Sequence, residues 1–187
     1  MRLPRPKILP AIAAIAFVSA NASATVMVRL SLDELASQSD AIVVATAGDA
    51  QSRWENGHIV TDLSVHIDRA LAGTTEGATI VVRIPGGVVD GTGQRVEGAP
   101  RLDRGTQRVL FLRREAPGRY HVAGMSQGVL PVTNDPSGTS HVGPADPSGV
   151  SVVEPATVNQ SRVAMPRGGM SLTMFAQAVG AMRLRTP

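Results

Sequence analysis

The chain has 187 residues, no cysteine, 43% hydrophobic and 3% aromatic side chains, and a formal charge of +3. Arg2, Arg5 and Lys7 supply that excess; beyond them stand 15 arginines, no lysine and 15 acids, a net charge of zero. Bulk charge therefore excludes a polybasic nucleic-acid or membrane-surface protein, and the lack of cysteine excludes a disulfide scaffold, a zinc ribbon and a thiol enzyme.

Met1–Lys7 is a positive n-region, Ile8–Val18 an apolar h-region, and Ser19–Ala24 ends in small residues with Ala22 and Ala24 spaced as an A-x-A site. That order predicts a secretory signal peptide cleaved after Ala24. The apolar run falls short of the ~20 residues a membrane span needs, and no later stretch reaches that length. The expectation is an exported, periplasmic or extracellular bacterial protein with no membrane span after cleavage. About 160 residues can bury roughly 68–70% of their unfolded surface, enough for a core without cross-links.

Ser31-Leu-Asp-Glu34 is a capping box, with Leu32, Leu35 and Ala36 on one face, and predicts a short helix over 32–38. Ala41–Ala47 is a β-branched run suited to a strand buried on both faces. Asn56-Gly57 is the strongest hairpin signal in the chain. After it Ile59, Thr61, Leu63, Val65 and Ile67 alternate with Val60, Asp62, Ser64, His66 and Asp68, giving a strand with one wetter face. Leu71–Gly73 turns the chain into a third strand, Thr79–Ile84, with Arg83 outward.

Pro85–Gly105 is a long glycine-rich connection with a short strand expected at Gln94–Glu97; long ordered loops are often functional. Gln107–Arg113 is a fourth strand, turned at Pro117-Gly118 into Arg119–Met125, and Gly128–Thr133 continues as strand. Nine of the sixteen residues 134–149 are Gly, Pro or Ser, which reads as linker or disorder. Ser171 caps a last helix, 172–184, whose stripe of Leu172, Phe175, Val179 and Met182 either docks on the domain or is offered to a partner.

Runs of strands before a late helix predict a mainly β fold, a small OB-like closed or partly open β-barrel. The expected organisation is 1–24 signal peptide and 25–133 barrel. Then come 134–168, a partly disordered linker, and 169–187, a C-terminal helix packed on the domain.

The order of elements resembles the netrin-like module, the OB-fold of tissue inhibitors of metalloproteinases. Leu35–Val44, Val65–Gly73 (with Ala72 where lysine is usual) and Gly105–Leu112 carry the likeness, which spans residues 31–125. The chain also looks like uncharacterised secreted bacterial proteins with a run seen here as Trp54–Gly57, Pro85–Gly87, Gly98–Pro100, Gly105–Leu112 and Gln127–Gly128. Inhibitors of the family place an N-terminal cysteine on the protease zinc. This chain has no cysteine, so that mechanism does not carry over. The amine of Thr25, freed by cleavage, would ligate zinc only from a pinned terminus, and termini usually fray, so it is not the favoured reading.

Gly124–Gly128 satisfies G-x-S-x-G around Ser126, and Asp135 and His141 follow in the order of a nucleophile, acid and base. The nucleophile elbow needs a strand, a sharp turn and a helix over a parallel sheet, whereas 128–133 reads as strand. A glycine-flanked bend is the favoured reading, and a small exported serine hydrolase the alternative. The histidines, His58, His66, His121 and His141, show no compact ligand spacing, so neither a metal nor a cofactor is expected. His66 beside Asp62 and Asp68 is read as a solvated strand face. Single-strand nucleic-acid binding wants aromatic platforms in a basic groove; the few aromatics fall largely on core stripes, and Asp90, Glu97 and Asp103 dilute Arg95, Arg101, Arg104 and Arg108, so nucleic acid is not the expected partner.

Trp54 stands at the hairpin tip, where it either forms a binding hot spot or folds back over the barrel mouth. The expected function is an exported, non-enzymatic binding module for another exported protein, with a metalloprotease the partner class the resemblance implies. Trp54, Glu55 and Asn56, with Arg95, Arg101 and Arg104 of the long loop, are the candidate binding residues. A structural envelope component is the remaining alternative.

Overall fold

The computed structural model describes residues 26–146, 150–154, 163 and 165–185. The expected leader, its cleavage site and Thr25 lie outside them, as does part of 134–168. In chain order come β1 (Val26–Val28), α1 (Leu32–Ser37), β2 (Ala41–Glu55), β3 (His58–Ala72) and β4 (Thr79–Pro85). A small hairpin, β5 (Gly87–Val89) and β6 (Thr92–Gln94), precedes β7 (Gln107–Ala116) and β8 (Arg119–Val122). A 3-10 turn, Met125–Gly128, leads to β9 (Val129–Asn134), β10 (Ser140–Val142), β11 (Ser151–Val153), β12 (Met170–Ser171) and α2 (Leu172–Arg185).

Strands pair in the order β7-β2-β3-β4-β8, and β8 returns to β7, closing a ring of five. All contacts round the ring are antiparallel except β4 with β8. Taken as strands one to five, the circuit is 1-2-3-5-4-1, the five-stranded Greek-key barrel of the OB-fold. Closure leaves no edge on these five strands. The sheet then continues outward from the start of β7 through β9 and β10 to β12.

Two apolar cores lie on the two sides of β2 and β7. Ala41, Val43, Ala45, Leu110 and Leu112 face the barrel interior with Leu63, Val65, Ile67 and Val82. Ile42, Val44, Val109 and Phe111 face outward against Leu35 of α1 and Phe175, Val179 and Met182 of α2. The continuous apolar run in each strand follows from burial on both faces. The stripe of α2 therefore docks on the barrel wall, where Phe111 and Phe175 meet edge to face at 6.2 Å and 84°. Fully burying side chains of this size contributes roughly 1.5–3 kcal/mol each.

The capping box forms as read: the Glu34 amide donates to Ser31 Oγ at 3.3 Å and the Ser31 amide to Glu34 Oε2 at 2.8 Å. Elsewhere the structure differs from the expectation for physical reasons. β2 runs on through Gly48–Glu55, where pairing with β3, not burial, keeps the chain extended. The small strand of the long loop is Thr92–Gln94, and it pairs with Gly87–Val89 rather than standing at 94–97. The strand expected at 119–125 stops at Val122.

Residues 134–146, part of the stretch read as linker, form a turn and a strand. Asp135 Oδ1 accepts from the Ser137 amide, Ser137 Oγ and the Thr139 amide at 2.9, 2.6 and 2.9 Å. Its composition is that of an Asx turn, and β10 follows it onto β9. The parallel pairing of β1 with β11 has no counterpart in the sequence reading. Gln127 of the G-x-S-x-G segment clips β1's continuation: its Oε1 accepts from the Leu30 amide and its Nε2 donates to Val28 O, both at 2.9 Å.

Candidate binding surface at the barrel mouth

Register shifts along β2, the last between Ala47 and Ala50, bend the long β2–β3 hairpin so that its far end projects past the ring. Asn56 (φ 51°) and Gly57 (φ 80°) make its two-residue turn, the left-handed pair that a type I′ turn requires. Directly opposed residues share a face. Trp54 faces Ile59, Ser52 faces Thr61 and Ala50 faces Leu63, so the indole leaves from the side of the hairpin that continues the barrel interior. It is 52% exposed there. The indole thus starts on the face that continues the barrel interior and keeps half its surface in solvent.

The long loop packs on that same side. The Gly86 amide donates to Ile59 O at 2.8 Å, and Thr61 Oγ1 donates to Gly86 O at 2.7 Å. Gln94 lies against the turn, with Nε2 3.3 Å from His58 Nδ1. Gly87 has no room for a side chain: a Cβ would stand 2.4 Å from Thr61 Oγ1 and 2.5 Å from Ser52 Oγ, and its φ of +140° favours glycine. Sequence reasoning named the two loops separately; the fold brings them together. Along the long loop, against Thr61 of β3, runs a groove of about 600 Å³, bordered by Thr61, Ile84, Val88, Gln94, Arg95 and Arg101; Trp54 is not among its lining residues. Val88 is 64% exposed beside it.

The candidate residues divide. Trp54 and Asn56 stand at the tip, and Arg95 and Arg101 border the groove. Arg95 is held by Glu97 at 2.8 Å. Arg104 pairs with Asp49 at 2.7 Å, both well exposed, and does not border the groove. Glu55 is engaged in an ion network on the opposite, outer face of the hairpin. There Arg83 reaches Asp62 at 2.8 Å, Glu55 at 2.8 Å and Glu115 at 3.2 Å. Arg53 also pairs with Asp62 and reaches Glu55 at 3.5 Å. Hydrogen bonds from Arg83, then from Arg53, hold the Asp62 carboxyl below its ordinary pKa against the opposing effect of burial. Strand alternation put Asp62 and Arg83 on outer faces. Their meeting depended on the β3–β4 register, in which they stand directly opposite. No sequence signal pointed to Gln94.

Ser126 lies in the 3-10 turn between β8 and β9, not between a strand and a helix over a parallel sheet. It is 7% exposed and, among the described residues, its Oγ has no hydrogen-bond partner. His141 Nε2 is 3.1 Å from Asp135 Oδ2 in the β9–β10 hairpin. Acid and imidazole thus meet, but no base is bonded to the serine hydroxyl. His66 is exposed on the outer face of β3, and Asp68 is occupied by Thr46 Oγ1 and Gln107 Nε2, both at 2.7 Å. Among the described residues no three His, Asp or Glu side chains cluster closely enough to hold a metal ion. No helix among them is long and apolar enough to cross a membrane.

No protein-family model matches the chain, and no curated protein matches it significantly.

Proposed function

We propose that this chain is an exported, non-enzymatic binding module that grips another exported protein at the barrel mouth. The observation that carries the reading is Trp54. A large aromatic on a hairpin tip, 52% exposed, offers apolar area at little entropic cost, and a groove of about 600 Å³ runs along the long loop bonded to the same hairpin. The loop bonded to Ile59 and Thr61 fixes the groove wall before a partner arrives. A metalloprotease is the partner class that the netrin-like resemblance nominates. Hydrolysis at Ser126 is the less favoured reading, because among the described residues its hydroxyl is bonded to no base.

Site-specific photo-crosslinking tests the surface. A benzophenone amino acid at position 54 should trap one exported protein in cell envelope or medium. The same group at Leu184 of α2, 90% exposed and remote in the sequence, should not. Equal trapping at both positions would refute the mouth as the binding surface.

A further inference from the structure

We propose that Asn56-Gly57, the turn at the tip of the β2–β3 hairpin, is a site of spontaneous covalent modification that the folded protein leaves unprotected. Asparagine is converted there to aspartate and isoaspartate through a cyclic imide. The Gly57 backbone nitrogen attacks Asn56 Cγ. A new N–Cγ bond forms, the bond from Cγ to the side-chain nitrogen breaks, and that nitrogen leaves as ammonia with the proton the Gly57 amide gives up. Water then opens the succinimide. Cleavage of the new N–Cγ bond gives aspartate; cleavage of the original backbone C–N bond gives isoaspartate, with the chain rerouted through Cβ.

The reacting groups are free. Asn56 and Gly57 are both exposed. Among the described residues neither the Gly57 amide nor the Asn56 side chain makes a hydrogen bond. A Cβ placed on Gly57 would meet nothing within 4 Å. The backbone is also half prepared. Ring closure makes the torsion about Cα–C part of a flat five-membered ring, which sets ψ of the asparagine near about −120°, the value at the first central residue of a type II′ turn. That turn also needs a positive φ there, and Asn56 already holds φ at 51°. Passing from type I′ to type II′ rotates only the peptide plane between Asn56 and Gly57, and both turns close a two-residue hairpin. Gly57, without a Cβ, accepts the new φ. The strands therefore stay paired while the ring closes.

Other positions lack this combination. Asn134 ends β9, where its Oδ1 accepts from Ser140 Oγ at 2.8 Å and the next amide, that of Asp135, donates to Thr139 O at 3.0 Å. Asp90-Gly91 repeats the left-handed pair, with φ 49° and 78°, but an ionised carboxylate is a poor electrophile. At position 56 the reaction puts a carboxylate beside Glu55 where a neutral amide stood. Aspartate keeps the turn, since Asp-Gly also suits type I′; isoaspartate lengthens the loop backbone by one carbon. The inference is independent of what the mouth binds.

The test holds purified protein in mildly alkaline buffer, one sample folded and one unfolded in urea, and follows both by peptide mass mapping over time. The readout is replacement of the side-chain –NH2 by –OH, with isoaspartate told from aspartate by its resistance to endoproteinase Asp-N. In the folded protein Asn56 should convert within about tenfold of its rate in the unfolded chain, and at least about tenfold faster than Asn134. Asn56→Gln, which could cyclise only through a six-membered ring, should show no conversion at position 56 over the same period. Protection of Asn56 by folding beyond about tenfold would overturn the proposal. So would a smaller gap to Asn134, or conversion in Asn56→Gln.

Discussion

The base and the tip of the β2–β3 hairpin belong to one continuous pair of strands under opposite constraints. At the base, Ala41–Ala45 are 0–1% exposed, pressed between the barrel interior and the two helices. At the tip Trp54 is 52% exposed, and the strand is kept extended by its partner and by polar contacts from the loop behind it. The base is fixed by burial, so almost any change there costs stability. The tip is fixed by hydrogen bonds made elsewhere, so its side chains contribute little to stability. Under the proposed function, stability and binding are separated along a single element.

Breaking the outer core that packs against the base should have the largest effect. Phe111→Ala removes a fully buried ring shared with Phe175, and should cost about 3–5 kcal/mol in denaturant unfolding. A loss below about 1 kcal/mol would mean the outer core is not packed as described. Next comes the face between base and tip. Asp62→Ala strips Arg83 of its principal partner, and the Arg83 side chain is only 11% exposed. The loss should be about 1–2 kcal/mol, between the limits for exposed and buried pairs, and should shrink little in high salt.

A smaller, pH-dependent effect belongs to the β9–β10 turn. Hydrogen bonds from Ser137, Thr139 and His141 lower the Asp135 pKa from 3.8 to about 2. A depressed acid contributes stability that is present above the unfolded pKa and lost as pH falls through the folded one. The advantage of wild type over Asp135→Asn in unfolding midpoint should therefore hold above pH 3.8 and vanish by about pH 2. An advantage independent of pH would assign the turn's order to something other than the carboxylate. Smallest of all for stability is Trp54→Ala, expected within about 0.5 kcal/mol of wild type.

What could be read from the sequence follows the same division. The capping box, the two-faced runs at 41–47 and 107–113, the Asn56-Gly57 turn and the stripe of α2 are local or periodic signals, and each corresponds to an element of the fold. A mainly β barrel followed from them. Less legible were features fixed by distant partners. The polar stretch Gly48–Glu55 is strand because β3 lies beside it, and β1 pairs with a segment more than a hundred residues away. At 134–146, turn chemistry and linker composition use the same residues, and only the bonds to Asp135 distinguish them. For the candidate surface, the two loops were visible as exceptional segments. Their contact, through Gly86, Gly87 and Gln94, was not, because it rests on backbone approach rather than on any pattern of side chains.

The most direct test of the separation is the affinity of Trp54→Ala for the exported protein trapped at position 54, measured alongside its unfolding midpoint. The account predicts at least about a tenfold loss of affinity, as expected for truncating a hot-spot aromatic, with an unchanged midpoint. Undiminished affinity would contradict it, and so would a loss that merely tracks unfolding of the barrel.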